Sequence, residues 1–282
     1  MATDKRERQR ANRAAKQAEE DKVQQRAQYR QWVVIGVLIA LGVGGLLYIL
    51  SAIGGDDEAT DTTDFTLAST SSTASTTTEP IPEAAVVAPE PGGSIDGAAE
   101  CPAEDGSSER ITSFNEAPPT CIDETATYVA EIDTTLGAIT VELDASAAPE
   151  TVNNFVFLAR YHYYDGAPFH RIIPGFVIQG GDAVGDPLGT GNPGYAIGDE
   201  LPTAGDYQVG SLAMANSGPD TSGSQFFIVT GPDGENLPPQ YSLFGSVTEG
   251  LDVVTSIEGI PTTPSDAPTE EIYINSVTIT EG

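Results

Sequence analysis

From Trp32 to Ile53 the chain runs for 22 residues without a charged side chain, and that run divides everything else in it. As a helix rising about 1.5 Å per residue it would be about 33 Å long, enough for the hydrocarbon core of a bilayer. Secretory signal sequences have apolar regions of only about 7–15 residues. This run is longer and lies farther from the N-terminus, so the expectation is an uncleaved transmembrane helix over 32–53. Its flanks orient it. Residues 1–31 hold nine of the chain's twelve Lys and Arg, whereas Asp56, Asp57 and Glu58 follow the run. The positive-inside rule then places 1–31 in the cytoplasm and all that follows 54 outside.

The net charge of −30 is distributed just as unevenly. Beyond the apolar run the only cations are Arg110, Arg160 and Arg171, against 37 acids. A surface that acidic repels phosphate backbones, so no nucleic-acid partner is expected. Cys101 and Cys121 both lie on the expected outer side, where thiols tend to be oxidised, and a disulfide between them is expected. Closing a loop of that size would contribute about 3 kcal/mol on the chain-entropy account. The alternatives are free thiols or a metal site, but no histidine or second cysteine pair lies nearby. No metal is expected.

Texture divides the outer part. Residues 54–99 are dominated by Thr, Ser, Ala, Pro and Glu and read as a disordered tether. Residues 100–123 form a short cysteine-bounded segment. From 124 onward, Tyr128–Asp133 and Ala138–Leu143 alternate apolar and polar side chains about a Thr-Leu-Gly turn, a hairpin pattern. Val152, Phe155, Val156 and Ala159 recur at helical spacing behind Pro149, predicting an amphipathic helix to Arg160. Residues 161–250 carry 17 glycines among short apolar runs. A second short helix is expected over Glu249–Glu258 and a closing strand over Glu271–Thr280. The fold class is mainly β, a compact antiparallel barrel or sandwich.

The chain carries no G-x-S-x-G elbow, P-loop, H-E-x-x-H or dinucleotide-binding glycine pattern, and His162 and His170 are its only histidines. What stands out is Phe169-His-Arg-Ile-Ile-Pro-Gly-Phe-Val-Ile-Gln-Gly-Gly-Asp182. Residues 124–282 hold two arginines, no lysine and 22 acids, yet one of those arginines sits in this apolar strand. Arg171 is there either to pair with a buried carboxylate or for chemistry.

This segment resembles the signature of the cyclophilin family of peptidyl-prolyl cis/trans isomerases. Two further blocks resemble the family in the same order: Gly210–Asn216 with Gly223–Ile228, and Leu237–Gly245. The resemblance covers about 126–280 and implies a closed eight-stranded antiparallel β-barrel capped by two α-helices, here in a bacterial, membrane-anchored member. It implies that Arg171 is catalytic with Gln179 beside it. It further implies that Phe176, Val177, Phe227, Leu237 and Tyr241 receive the proline ring, and that Gln179, Ala215, Asn216 and Gln225 hold the substrate backbone. Val177 stands where methionine is common, and Tyr241 where many members have histidine. Asn236 replaces a tryptophan associated with cyclosporin binding, so tight binding of that drug is not expected. The implied function is isomerisation of X–Pro bonds in extracytoplasmic proteins, without a cofactor. The alternative is a cyclophilin-like module that grips proline-containing segments with little turnover.

Overall fold

The computed structural model describes residues 85–282; the basic tail, the apolar run and the tether as far as 84 lie outside the described residues. Among the described residues no helix is long and apolar enough to cross a membrane. Ten strands and three helices follow one another. The strands are β1 (Gly93–Ile95), β2 (Ile111–Phe114), β3 (Tyr128–Thr134), β4 (Gly137–Leu143), β5 (Arg171–Ile173), β6 (Val177–Gly180), β7 (Ser211–Met214), β8 (Phe226–Val229), β9 (Leu243–Glu249) and β10 (Ile274–Glu281). The helices are α1 (Pro149–Arg160), α2 (Pro232–Glu235) and α3 (Leu251–Glu258).

The alternating runs form the expected hairpin, Tyr128 opposite Leu143 and Ile132 opposite Ile139. Gly137 makes the turn at φ +132°, a conformation that side chains with a Cβ rarely adopt. β3 shows the consequence of period-two geometry: Tyr128, Ala130, Ile132 and Thr134 are buried and the residues between them are not. Eight strands join in the order β10-β3-β4-β9-β7-β8-β6-β5. The sheet curls but does not close, which corrects the expectation of a closed barrel. β10 and β5 share no ladder. Their approaches meet through a single bridge, Pro168 to Tyr273, with bonds from Gly166 N–H to Ile274 O (2.7 Å) and Phe169 N–H to Ile272 O (3.2 Å). Pro168 donates no backbone hydrogen bond, which suits it to a seam rather than a ladder.

α1 spans the predicted residues. Its first amides, which have no partners inside the helix, donate to the Glu200 carboxylate from Glu150 (3.1 Å) and Thr151 (2.8 Å). The helix is not amphipathic in its surroundings: every residue from Thr151 to Arg160 is buried. One side packs on the sheet through Phe155, whose ring lies 5.7 Å from Phe226 and 5.3 Å from Phe244. The other side is covered by residues 85–123. Part of that stretch, 85–99, reads from composition as tether, yet it carries β1 and buries Val86 and Ala99. β1 pairs in parallel with β2, and Phe114 at the end of β2 is inserted against Phe157 (5.1 Å) and Tyr161 (5.6 Å). Cys101 and Cys121 are joined in a disulfide, with Cα atoms 5.4 Å apart. The second helix starts at Leu251 rather than Glu249, because Gly250 turns the chain at φ +86°.

Candidate active site

Register decides which side chains meet. β5 and β6 are joined by Ile173-Pro174-Gly175-Phe176, closed by Phe176 N–H to Ile173 O at 3.1 Å, with Gly175 at φ +75°. Proline then glycine at the two central positions is the composition such a turn demands. It sets Arg171 opposite Gln179, β8 sets Phe227 opposite Gln179, and β7 sets Ala213 opposite Phe227. Arg171, Gln179, Phe227 and Ala213 therefore stand side by side across four strands on one face. Their neighbours Ile172, Ile178, Phe226, Ile228 and Met214 point into the main core. A one-residue slip would exchange the two sets.

On the site face a second, smaller apolar cluster forms. Val177 and Phe227 are buried in it, and Phe176, Ala215, Leu237 and Tyr241 pack against it partly exposed. The rings of Phe227 and Tyr241 meet edge to face at 5.4 Å and 87°. α2, a single turn not anticipated from the sequence, braces the far side: Asp233 N–H bonds the Gly175 carbonyl at 3.1 Å, and Leu237 follows the helix. All five apolar residues expected around a proline ring thus lie in one cluster, with Ala215 beside them and separate from the core.

The polar residues adjoin it. Arg171 Nη1 donates to Gln179 Oε1 (3.3 Å), Gln179 Nε2 to Gln225 Oε1 (3.0 Å), and Gln225 Nε2 to the Gly191 carbonyl (2.9 Å). Ala215 N–H bonds Gln225 O at 2.8 Å, and Asn216 Nδ2 donates to Gln240 O at 2.8 Å. A groove of about 630 Å³ runs alongside, lined in part by Gln179, Gly191, Tyr195, Ala215, Asn216 and Gln225. All ten residues singled out in the sequence are therefore contiguous. Asn236 is exposed, and its side chain donates to the Pro232 carbonyl at 2.7 Å.

The arginines of this domain differ in their surroundings. Arg160, 6% exposed, pairs with Glu281 at 3.4 Å and has a structural role. Arg171 is 40% exposed, and its nearest carboxylate, Asp266 at 3.6 Å, is 44% exposed. It is not locked to an internal acid. Burial pushes the neighbouring His170 imidazole below its ordinary range, against the opposing pull of Asp182, which favours a neutral ring at pH 7.

Two residues that sequence reasoning passed over shape the site. Asp182, fully buried, accepts backbone hydrogen bonds from Val184 (3.1 Å), Gly185 (2.7 Å), Gly189 (2.7 Å) and Gly191 (2.9 Å). It winds the loop whose Gly191 carbonyl holds Gln225. The Tyr207 hydroxyl donates to Tyr241 O (2.7 Å) and accepts from Tyr241 N–H (3.2 Å), and burial pushes it up to about 12. A lone tyrosine in a polar loop before the Gly210 block was the available signal. Tyr207→Phe should free the Tyr241 backbone, raising KM for a proline peptide by about 3–10-fold with kcat little changed, as initial-rate kinetics would show.

A family model described as cyclophilin type peptidyl-prolyl cis-trans isomerase/CLD matches residues 129–279, just over half of the chain. The chain belongs to the cyclophilin family. Peptidyl-prolyl cis-trans isomerase B of Streptomyces anulatus is 42% identical over 169 residues, 53% of this chain and 95% of that protein. Peptidyl-prolyl cis-trans isomerase-like 1 of Mus musculus is 42% identical over 149 residues, 51% of this chain and 87% of that one. These two relatives, one bacterial and one eukaryotic, are identical to it to the same extent. The crystal structure of a Cryptosporidium parvum cyclophilin type isomerase superposes with a TM-score of 0.50 at 33% identity, over 55% of this chain and 99% of that one. The activity of this cyclophilin is peptidyl-prolyl cis-trans isomerisation. The match begins at 129, and the packed residues 85–123 lie ahead of it.

Proposed function

We propose that this cyclophilin is a single-pass membrane protein that isomerises X–Pro bonds of extracytoplasmic polypeptides, with Arg171 as the catalytic residue. The observation that carries the mechanism is the cross-strand row of Arg171, Gln179 and Phe227, which sets a permanent cation beside an apolar slot. An X–Pro amide resists rotation because nitrogen shares its lone pair with the carbonyl, giving a barrier of about 18–20 kcal/mol. When the amide twists, that pair localises on nitrogen. A guanidinium directed at it gains a hydrogen bond that the planar amide accepts poorly, which is preferential binding of the transition state. Arginine suits the role because it stays protonated. The slot formed by Phe176, Val177, Phe227, Leu237 and Tyr241 would grip the ring, while Gln179, Ala215, Asn216 and Gln225 would hold the backbone beside it. One side of the bond then turns against a fixed other. Lowering the barrier by about 7 kcal/mol would accelerate rotation roughly 10⁵-fold.

Anchoring and location rest on the sequence: an uncharged run long enough to span, cations before it, acids after it. A disulfide within the described residues accords with an oxidising compartment. Two measurements test the proposal. A reporter fused after residue 60 is expected to be active outside the cytoplasm; activity confined to the cytoplasm would refute the orientation. The full-length chain is expected to accelerate relaxation of a cis-proline peptide; a folded protein without turnover would leave a binding module.

A further inference from the structure

We infer that the disulfide-closed segment preceding the shared domain is a working part of the substrate groove, with Phe114 as a positioning residue for the groove wall 192–196. This deepens the proposed function and rests on reading the groove beside the proline slot as the place where residues flanking the proline lie.

Phe114 touches that wall in three ways. Its N–H donates to the Pro193 carbonyl at 2.8 Å. Its ring stands edge-on to Tyr195 at 6.1 Å. Its own carbonyl lies so close to Gly194, at φ +105°, that a methyl group there would collide with it. Only glycine lets the two backbones approach like this. Tyr195 in turn donates through its hydroxyl to Asn154 Oδ1 (2.7 Å), and Asn154 Nδ2 donates to the Gly223 carbonyl (2.8 Å). Tyr195 and Gly223 both line the groove, on different segments. Phe114 therefore presses one wall onto a helix side chain that also holds the other.

The same segment is pinned at its ends. Cys101 and Cys121 close the loop that contains β2 and Phe114. The preceding residue of α1, Asn153, binds that closure, accepting from Cys121 N–H (2.7 Å) and donating to Pro119 O (2.9 Å). Consecutive asparagines thus tie the disulfide on one side and the groove on the other. Opening the disulfide enlarges the conformational freedom of the loop that carries Phe114 without touching the slot. The wall is linked to chemistry only at its edge, through Gly191 and Gln225. Loosening it should weaken contacts to flanking residues more than it slows rotation.

The test uses the full-length chain and two substrates, a tetrapeptide that fills little beyond the slot and a longer peptide with the same central proline. Phe114→Ala is expected to raise KM for the longer peptide by about tenfold, with kcat for both and KM for the tetrapeptide unchanged. Amide hydrogen exchange at Ile197, whose buried N–H bonds Ser222 O at 2.9 Å next to that wall, should quicken in the same variant. Phe114→Leu should restore most of the affinity, and the paired change Cys101→Ser with Cys121→Ser should shift KM in the same direction. Equal loss on both peptides, or unchanged exchange at Ile197, would overturn the inference. Should Phe114→Ala fail to fold, the paired serine variant carries the same comparison. If the unmodified chain binds peptides without turnover, the catalytic proposal fails separately, and peptide Kd by calorimetry then replaces KM.

Discussion

Replacing Arg171 with alanine is expected to lower kcat for a proline peptide by about 10²–10³ while leaving KM within a few-fold, the usual cost of removing one donor used only in the transition state. The expectation follows from where the guanidinium stands. Slot residues and backbone-holding residues are all retained in the variant, so ground-state binding has little reason to change. Stability should change little too. The Arg171–Asp266 pair is more than a third exposed on both sides, and exposed pairs of this kind contribute at most about 1 kcal/mol. Lysine should not rescue. Its ammonium lacks the planar fork that reaches Gln179 and a twisted nitrogen together. Progress curves for cis-proline relaxation, with a thermal melt of each variant, read all of this. A kcat within twofold of the unmodified protein would remove Arg171 from the mechanism.

Asp182→Asn is expected to produce the larger loss of stability. The carboxylate is fully buried and receives four backbone N–H donors, all from one loop. An amide of the same shape turns one arm into a donor facing donors and removes the charge from every remaining bond. Charge-assisted hydrogen bonds are worth about 1.5–3 kcal/mol each, and one arm cannot be satisfied, so a loss on the order of 3 kcal/mol is expected. For a domain of this size that lowers Tm by roughly 10 °C. KM should rise as well, because the loop's Gly191 carbonyl orients Gln225. Denaturant unfolding monitored beside the kinetics separates the two effects. A variant as stable as the parent would mean that the loop holds its shape without the cradle.

The sequence was informative wherever the interaction was local. Period-two alternation marked the β3–β4 hairpin to within a residue, and Pro174-Gly175 marked the β5–β6 turn. That turn also fixes the parity that puts Arg171 and Gln179 on one face. Adjacency to Phe227 could not be read in the same way, since β6 pairs with β8 across nearly fifty residues and nothing local encodes that register. There the family resemblance, rather than pattern, brought Phe227, Leu237 and Tyr241 together. Tyr207 was missed because its role is one hydroxyl against one backbone, without any periodic signal. The stretch 85–99 misled for a different reason. It has too few apolar residues to fold alone, but a neighbouring surface already formed by α1 and the sheet needs only Val86 and Ala99 to bind it. Openness of the sheet was likewise hidden, resting on hydrogen bonds between segments a hundred residues apart.

The scarcity of cations in the described residues reaches beyond charge. Enzymes that cut after lysine or arginine find only Arg110, Arg160 and Arg171 there. They need several residues on either side drawn out into an extended, accessible strip. Arg160 closes a buried helix, Arg171 opens a paired strand, and Arg110 is held by the carbonyls of Glu90 and His162. The described residues, while folded, would therefore offer trypsin-like proteases almost nothing to digest.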